Sequence, residues 1–242
     1  TFVRDCCSKC FKGVLQIQHV MTYPFPVPPQ GLLTPIDPAV KALVDAIRRK
    51  DPSAVVALPH LDSLVAAQLI SIDDAVAYIA YLAQNYTSSL DYLAVLFNNV
   101  YSTPFLSQVL NGLGKLAPQV GASILNDVWF TNIDKLAAAF SSTAYVTPDS
   151  AAALLNFMNV NKAAQVIADT AYLPVSISAQ IFNSNNLSST AGAAIIANTQ
   201  YLPISLSAQI LAQTPYLSVS KSASILAQTS YLPVSISAQI LN

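Results

Sequence analysis

The stretch TQYLPISLSAQILA at residues 199–212 decides the fold, because the chain repeats it with small changes. Residues 229–242 read TSYLPVSISAQILN, and residues 214–227 read TPYLSVSKSASILA, where a proline is lost and a lysine is gained. We number the tyrosine of YLP as position 1. Related copies then begin, at steps of 12 to 15 residues, at Phe130, Tyr145, Phe157, Tyr172, Asn186, Tyr201, Tyr216 and Tyr231. Repetition at a nearly fixed step predicts a repeat architecture.

Two positions are shared by all of these copies. Position 8 is always alanine, and position 11 is always large and apolar. Fainter copies continue upstream, where Ala122 and Leu125 fit a copy that begins at Lys115. On a helix, positions 4, 8 and 11 form one apolar stripe, and a constant alanine in that stripe indicates a close crossing of two helices.

Position 6 distinguishes a helix from a strand. The letters VSISAQI alternate between apolar and polar residues, which alone is typical of a strand. In a strand, however, positions 4, 6, 8 and 10 would share one buried face, and position 6 holds Lys135, Lys162 and Lys221. Burying an unpaired ammonium group three times is too costly. In a helix this position lies beside the apolar stripe, where a lysine can reach water, so the copies are predicted to be helices.

Odd and even copies differ regularly, so the repeating unit is a pair of helices that spans 27 to 30 residues. Position 3 of the odd copies holds residues that cap helices, namely Asn132, Asn159, Ser188 and Ser218. Position 3 of the even copies holds Thr147, Pro174, Pro203 and Pro233, and proline is favoured in a first helical turn. Position 6 of the even copies holds Ser150, Ile177, Leu206 and Ile236, which predicts a covered face there. We predict an all-α fold, an α-solenoid of short helical hairpins.

Two-helix repeats of about thirty residues with proline at a helix start resemble, in outline, the repeats of mitochondrial transcription termination factors. The resemblance is carried by YLPxSxSAQIL and covers residues 130–242. It implies binding of duplex nucleic acid through a basic groove, for which the sequence offers the row Lys135, Lys162 and Lys221. By composition, the chain is also similar to structural proteins of archaeal viruses.

The chain is predicted to have three regions. Residues 1–35 form a cysteine-bearing arm and a proline-rich connector, residues 36–129 form helices with degenerate repeats, and residues 130–242 form the regular two-helix repeats. Asp37 is predicted to cap the first helix, with Pro38 in its first turn. Ser71-x-x-Asp74 is predicted to be a capping box, which explains the acidic pair Asp73 and Asp74 as the start of a helix.

Composition indicates the setting of the protein. Of the 242 residues, 53% are hydrophobic and only 10% are charged, the net charge is −1, and the acidic residues are all aspartate. Uncharged polar side chains therefore carry most of the surface, which favours an extracellular or virion location. No run reaches the roughly 18 apolar residues of a membrane span, so no transmembrane segment is expected.

The cysteines are clustered in CCSKC as Cys6, Cys7 and Cys10. Cys7 and Cys10 have the spacing of half a zinc site, to which His19 could add a ligand. A disulfide within the chain or to a partner, and free thiols, are the two other interpretations. We assign no metal or cofactor.

No catalytic group of residues is found, and we expect no enzyme activity. With glutamate absent and two histidines in the chain, the choice of general acids and bases is small. The primary hypothesis is a structural or assembly protein whose apolar C-terminal helices, around Tyr216–Leu241, bind other copies of the chain or other subunits. The alternative is a groove-binding solenoid module for nucleic acid or peptide, with nucleic acid the less favoured partner because the lysines are few.

Overall fold

The computed structural model describes residues 37–242, and over that range the protein has 14 α-helices and no β-strand. The predicted all-α fold is therefore confirmed. The chain divides into two units, residues 1–43 and residues 44–242. The predicted cysteine arm and its possible zinc or disulfide chemistry lie outside the described residues, and the predicted region boundaries stay predictions.

The helices that precede the regular copies are irregular in length. They are α1 (Pro38–Arg48), a 3₁₀ helix (Pro52–His60), α2 (Leu61–Ala66), α3 (Ile72–Asn85), α4 (Ser89–Val95), a π-helical turn (Leu96–Val100), α5 (Thr103–Leu116) and α6 (Pro118–Asn126). The predicted starts are confirmed. The Asp37 carboxylate accepts from the N–H of Ala39 at 2.8 Å, and both hydrogen bonds of the capping box between Ser71 and Asp74 are present.

The regular copies each form one helix of eight or nine residues. These are α7 (Ile133–Ser141), α8 (Pro148–Leu155), α9 (Val160–Ala168), α10 (Val175–Asn183), α11 (Ser189–Ala197), α12 (Ile204–Leu211), α13 (Val219–Leu226) and α14 (Val234–Leu241). All eight helices are the ones that the repeated motif predicts. Isolated helices of this length are unstable in water, so packing against neighbours must stabilise them.

The helix starts follow the odd and even rule, with one correction. The side chains of the four predicted caps of the odd helices each accept a backbone N–H from the first turn. Pro174, Pro203 and Pro233, however, are the N-cap residues of their helices and do not lie in the first turn. The Pro174 carbonyl accepts from the N–H of Ser178 at 3.0 Å, so the proline contributes its acceptor to the helix and needs no donor.

The eight helices form two layers. Among these eight helices, each one packs most closely on the second helix along the chain, so that α7, α9, α11 and α13 form an odd layer and α8, α10, α12 and α14 form an even layer. Equivalent helices of successive pairs therefore make the main contacts, as in a solenoid. The upstream helix α5 packs on α7 and especially on α8, which covers the first pair of the array.

The close approach of α5 to α8 depends on Gly114. A Cβ atom on this residue would lie 2.4 Å from the carbonyl oxygen of Ser150, which is closer than a real contact allows. The absent side chain thus lets the two helix backbones meet. This contact joins the irregular helices to the regular copies.

Candidate functional site

The lysines of position 6 join three of the odd helices to backbone carbonyls of earlier segments of the chain. The ammonium nitrogen of Lys162 on α9 donates to the carbonyls of Leu125, Asp127 and Phe130 at 2.9, 2.6 and 2.7 Å. These carbonyls lie at the end of α6 and in the loop that leads to α7. The last carbonyls of a helix have no partner within the helix, and a cation is favoured beside them. The nitrogen also lies 5.7 Å from the centre of the Phe130 ring.

The two other lysines make the same kind of contact with fewer acceptors. Lys221 on α13 donates to the carbonyls of Ser184 and Leu187 at 3.0 and 2.6 Å. Lys135 on α7 donates to the carbonyl of Asn98 at 3.3 Å. We predicted that these side chains reach water, but each one is partly covered and reaches back to a residue 32 to 37 positions earlier.

Burial lowers the pKa values of Lys135, Lys162 and Lys221, because partial removal from water disfavours their charged forms. A nearby carboxylate opposes this effect at Lys135 and Lys162, where Asp62 and Asp127 respectively favour the charged ammonium. The lysines that the resemblance placed in a basic groove are thus bonded within the array.

Asparagine side chains make a second set of contacts between pairs. At the end of an even helix, the Oδ1 atoms of Asn126, Asn156 and Asn183 accept from the backbone N–H of the residue that caps the odd helix three further along. The distances are 2.6, 2.9 and 3.0 Å. All three asparagines occupy position 12 of an even copy. Each one fixes where a later helix begins.

The last two helices expose a face that is partly or fully covered in the earlier copies. We call it the terminal face and define it as positions 4, 8 and 11 of α13 and α14. Its members are Val219, Ala223, Leu226, Val234, Ala238 and Leu241.

Exposure changes sharply along the array at these positions. The position 8 alanines of the first five copies are fully buried, whereas Ala223 and Ala238 are exposed. Position 11 is at most 9% exposed from Phe140 to Leu211, but Leu241 is 72% exposed. In the first five copies, therefore, positions 8 and 11 of this face are buried by neighbouring helices.

Position 10 behaves differently. Ile225 and Ile240 are buried even in the last two helices, as the equivalent residues are in all earlier copies. Each helix thus has one apolar contact that does not depend on a following pair, and a second face that does. The terminal face is the second kind of surface, uncovered within residues 37–242.

An open groove of about 680 Å³ lies beside α5, α6 and α8. It is lined in part by Lys115, Thr147, Asp149 and Asn186. The Asp149 carboxylate accepts from the hydroxyl of Ser184 at 2.6 Å, and its backbone carbonyl accepts from the amide of Asn186 at 3.1 Å. These bonds tie the groove wall to the following pair of helices, which is a structural role.

A metal-binding cluster and a membrane-spanning helix are both absent from residues 37–242. Within that range no three His, Cys or Asp side chains are grouped so that they could hold a metal ion. None of the helices described is both long enough and apolar enough to cross a bilayer. Comparison with known proteins finds no family, no curated protein and no solved structure that matches this chain.

Proposed function

We propose that this protein is a non-enzymatic structural or assembly protein that binds a second copy of the chain through the terminal face. The observation that carries the proposal is the rise in exposure at positions 4, 8 and 11, which is greatest in the last two helices. The same positions are protein contacts in the earlier copies, so the face has the composition and spacing of an interface.

Covering the face would recover hydrophobic free energy. Val219, Val234 and Leu241 are 71, 67 and 72% exposed. Burying a valine or leucine side chain contributes roughly 1.5–3 kcal/mol. The exposed alanines between these residues have no long side chains and permit close approach of another helix pair.

A two-fold contact between two terminal faces suits this surface better than head-to-tail stacking, in which the terminal face of one copy would bind the opposite end of the next. The first regular pair is already covered by α5, so the opposite end does not offer the equivalent repeat face. Two terminal faces can cover each other about a two-fold axis, which gives a closed dimer. The contact would place the same residues of both chains in one interface.

The test is the mass of the protein in solution. Val219, Val234 and Leu241 are each replaced by Asp in one variant, and Val56→Asp, at a valine that is 68% exposed outside the array, is the matched control. Light scattering should give a dimer for the wild type and the control, and a monomer for the triple variant. A monomeric wild type, or an unchanged mass in the triple variant and after deletion of residues 231–242, would contradict the proposal.

The hydrogen bonds of the position 6 lysines argue against nucleic-acid binding as the alternative function. The ammonium groups of Lys135, Lys162 and Lys221 already donate to backbone carbonyls. Phosphate binding by these groups would first have to break those bonds, and three charges would in any case give weak binding that salt abolishes.

We further propose an extracellular or virion setting for this scaffold. The support is compositional: the chain has no glutamate and its polar surface is mostly uncharged. Protease digestion of intact cells or particles that carry the protein tests the location. Protection of the chain until the membrane is permeabilised would contradict it.

A further inference from the structure

The odd layer contains a third set of contacts, between position 13 of one odd copy and position 5 of the preceding odd copy. We call this set the ladder. The amide of Asn198 donates to the amide oxygen of Asn161 at 2.7 Å, and the hydroxyl of Thr190 donates to the amide oxygen of Gln228 at 3.3 Å. Each pair joins two odd helices that are neighbours in the layer. Both pairs combine a neutral donor with a neutral acceptor, so they need no proton from solvent.

At the first step of this ladder both positions are aspartate. Position 5 of the copy on α7 is Asp134, and position 13 of the copy on α9 is Asp169. The equivalent pairs of the ladder place these two carboxyl groups beside each other. The Oδ2 atom of Asp169 is buried and has no donor. Two ionised carboxylates can only accept, so one proton would supply the donor that this position lacks.

We propose that Asp134 and Asp169 form a carboxyl–carboxylate pair that holds one proton, and that this proton fastens α9 to α7 more tightly in acid than at neutral pH. The inference rests on the register of the ladder and on the orphaned Oδ2 atom, and it does not depend on the terminal face. A similar juxtaposition joins Asp91 of α4 to Asp127, where hydrogen bonding between the two carboxyls raises the pKa of Asp91.

The cations of the surrounding helices are engaged elsewhere. Lys135 and Lys162 lie on the same two helices as the pair, but their ammonium groups donate to the backbone carbonyls of Asn98 and Leu125. The helix α11, which packs on α9, contains no titratable residue. On the other helices nearby, Lys115 of α5 lines the groove beside α8, and Asp149 of α8 accepts from Ser184.

The direction of the pH effect follows from the environment of Asp169. Its burial, followed by the charge of Asp134, raises its pKa, while the backbone N–H groups of Tyr172 and Ala171 oppose the rise. A carboxyl whose pKa is higher in the folded state binds its proton more tightly when folded. The stabilisation therefore appears as the pH falls through the folded pKa, and it is complete below the unfolded value of about 3.9.

The test replaces each member of the pair by its amide, in the variants Asp134→Asn and Asp169→Asn. Each variant carries a permanent donor, like the Asn161–Asn198 step. We expect each one to melt a few degrees above the wild type at pH 8, where one kcal/mol corresponds to about 2–4 °C for a chain of this size. The difference should shrink to nothing near pH 4.

Asp73→Asn is the matched control, because it removes one negative charge from the first turn of α3, where an acidic residue is favoured. It should lower the melting temperature at pH 8. Lower stability of both pair variants at pH 8, or a difference from wild type that is constant between pH 4 and pH 8, would overturn the proposal. Stabilisation of the wild type at pH 8 by added Ca²⁺, reversed by EDTA and absent from both variants, would instead make the pair a cation site and would also overturn it.

Discussion

The backbone N–H of Ser218 donates to the Oδ1 atom of Asn183 at 3.0 Å, although the two residues are 35 positions apart in the chain. The end of one helix thus sets the beginning of another helix in a later pair. Asn126 and Asn156 do the same for Asn159 and Ser188. Hydrogen bonds of this kind fix the register of the array, because a shift of one residue would leave both groups without partners.

Replacement of Asn183 tests this role. Asn183→Ala removes the acceptor and should lower the free energy of unfolding by about 0.5–1.5 kcal/mol. Asn183→Asp keeps an acceptor and places a negative charge at the start of α13, where the helix dipole favours it, so its stability should equal or exceed that of the wild type. Urea unfolding near neutral pH measures both. Equal loss in the two variants would show that the acceptor is not what matters.

The lysines of position 6 should differ in their contributions. Replacement by Met keeps the length of the side chain and removes the donors. Lys162→Met leaves three carbonyls without their donor and should cost about 2–3 kcal/mol, Lys221→Met about 1–2 kcal/mol, and Lys135→Met less than about 1 kcal/mol. The exposed Lys115 serves as the control, and Lys115→Met should change little. Chemical denaturation measures these losses. Equal losses in the three variants would contradict the idea that stability depends on the number of carbonyls bound.

Gly114 should tolerate no side chain. In Gly114→Ala the new methyl group would meet the Ser150 carbonyl oxygen at 2.4 Å, and backbone cannot move aside as easily as a side chain. We expect a loss of about 1–3 kcal/mol.

Gly192→Ala is the comparison for that substitution. Its methyl group would lie 3.3 Å from the flexible end of Ile225. The higher helix propensity of alanine, up to about 1 kcal/mol, should offset that contact. Thermal melting of the two variants should therefore separate them, and similar melting temperatures would argue against the close approach of α5 to α8.

Tyr78 should contribute to unfolding in alkali. Its hydroxyl donates to the carbonyl of Asp51 at 2.9 Å, and burial, followed by the charge of Asp51, raises the pKa of Tyr78 to about 12. Because the folded pKa lies above the unfolded one, the stabilisation is present below about pH 10 and is lost as the pH rises toward the folded value.

The variant Tyr78→Phe should lack this part of the alkaline transition. At neutral pH it should be less stable than the wild type by the lost hydrogen bond, about 1 kcal/mol. Tyr172→Phe, at a half-exposed residue, is the control and should unfold in alkali as the wild type does. Identical pH profiles for Tyr78→Phe and the wild type would contradict the prediction.

The regular part of the fold could be predicted because its signals are local. The constant alanine at position 8 and the caps such as Asn132 and Ser218 report on the nearest turn of helix. The role of Lys162 could not be predicted, because its partners are backbone carbonyls more than 30 residues away, which every residue possesses. The 3₁₀ helix Pro52–His60 could not be predicted either, because its apolar residues do not recur with the spacing of a helix.

The terminal face could be predicted in part from the sequence. The terminal face follows from the same positions that define the repeat, once the last copies are known to be helices. The aspartate pair was present in the sequence as Asp134 and Asp169, but only the Asn161–Asn198 and Thr190–Gln228 bonds show that these positions meet. Comparing equivalent positions across copies, beyond the motif itself, would have suggested it.

Successive pairs within the array touch each other mainly through the same few positions. A pair inserted by duplication of about 30 residues would meet on both sides the surfaces for which it was selected. The length of such a protein is therefore free to change in evolution by whole pairs, with little cost to folding, and the distance spanned by the array can be adjusted without altering its ends.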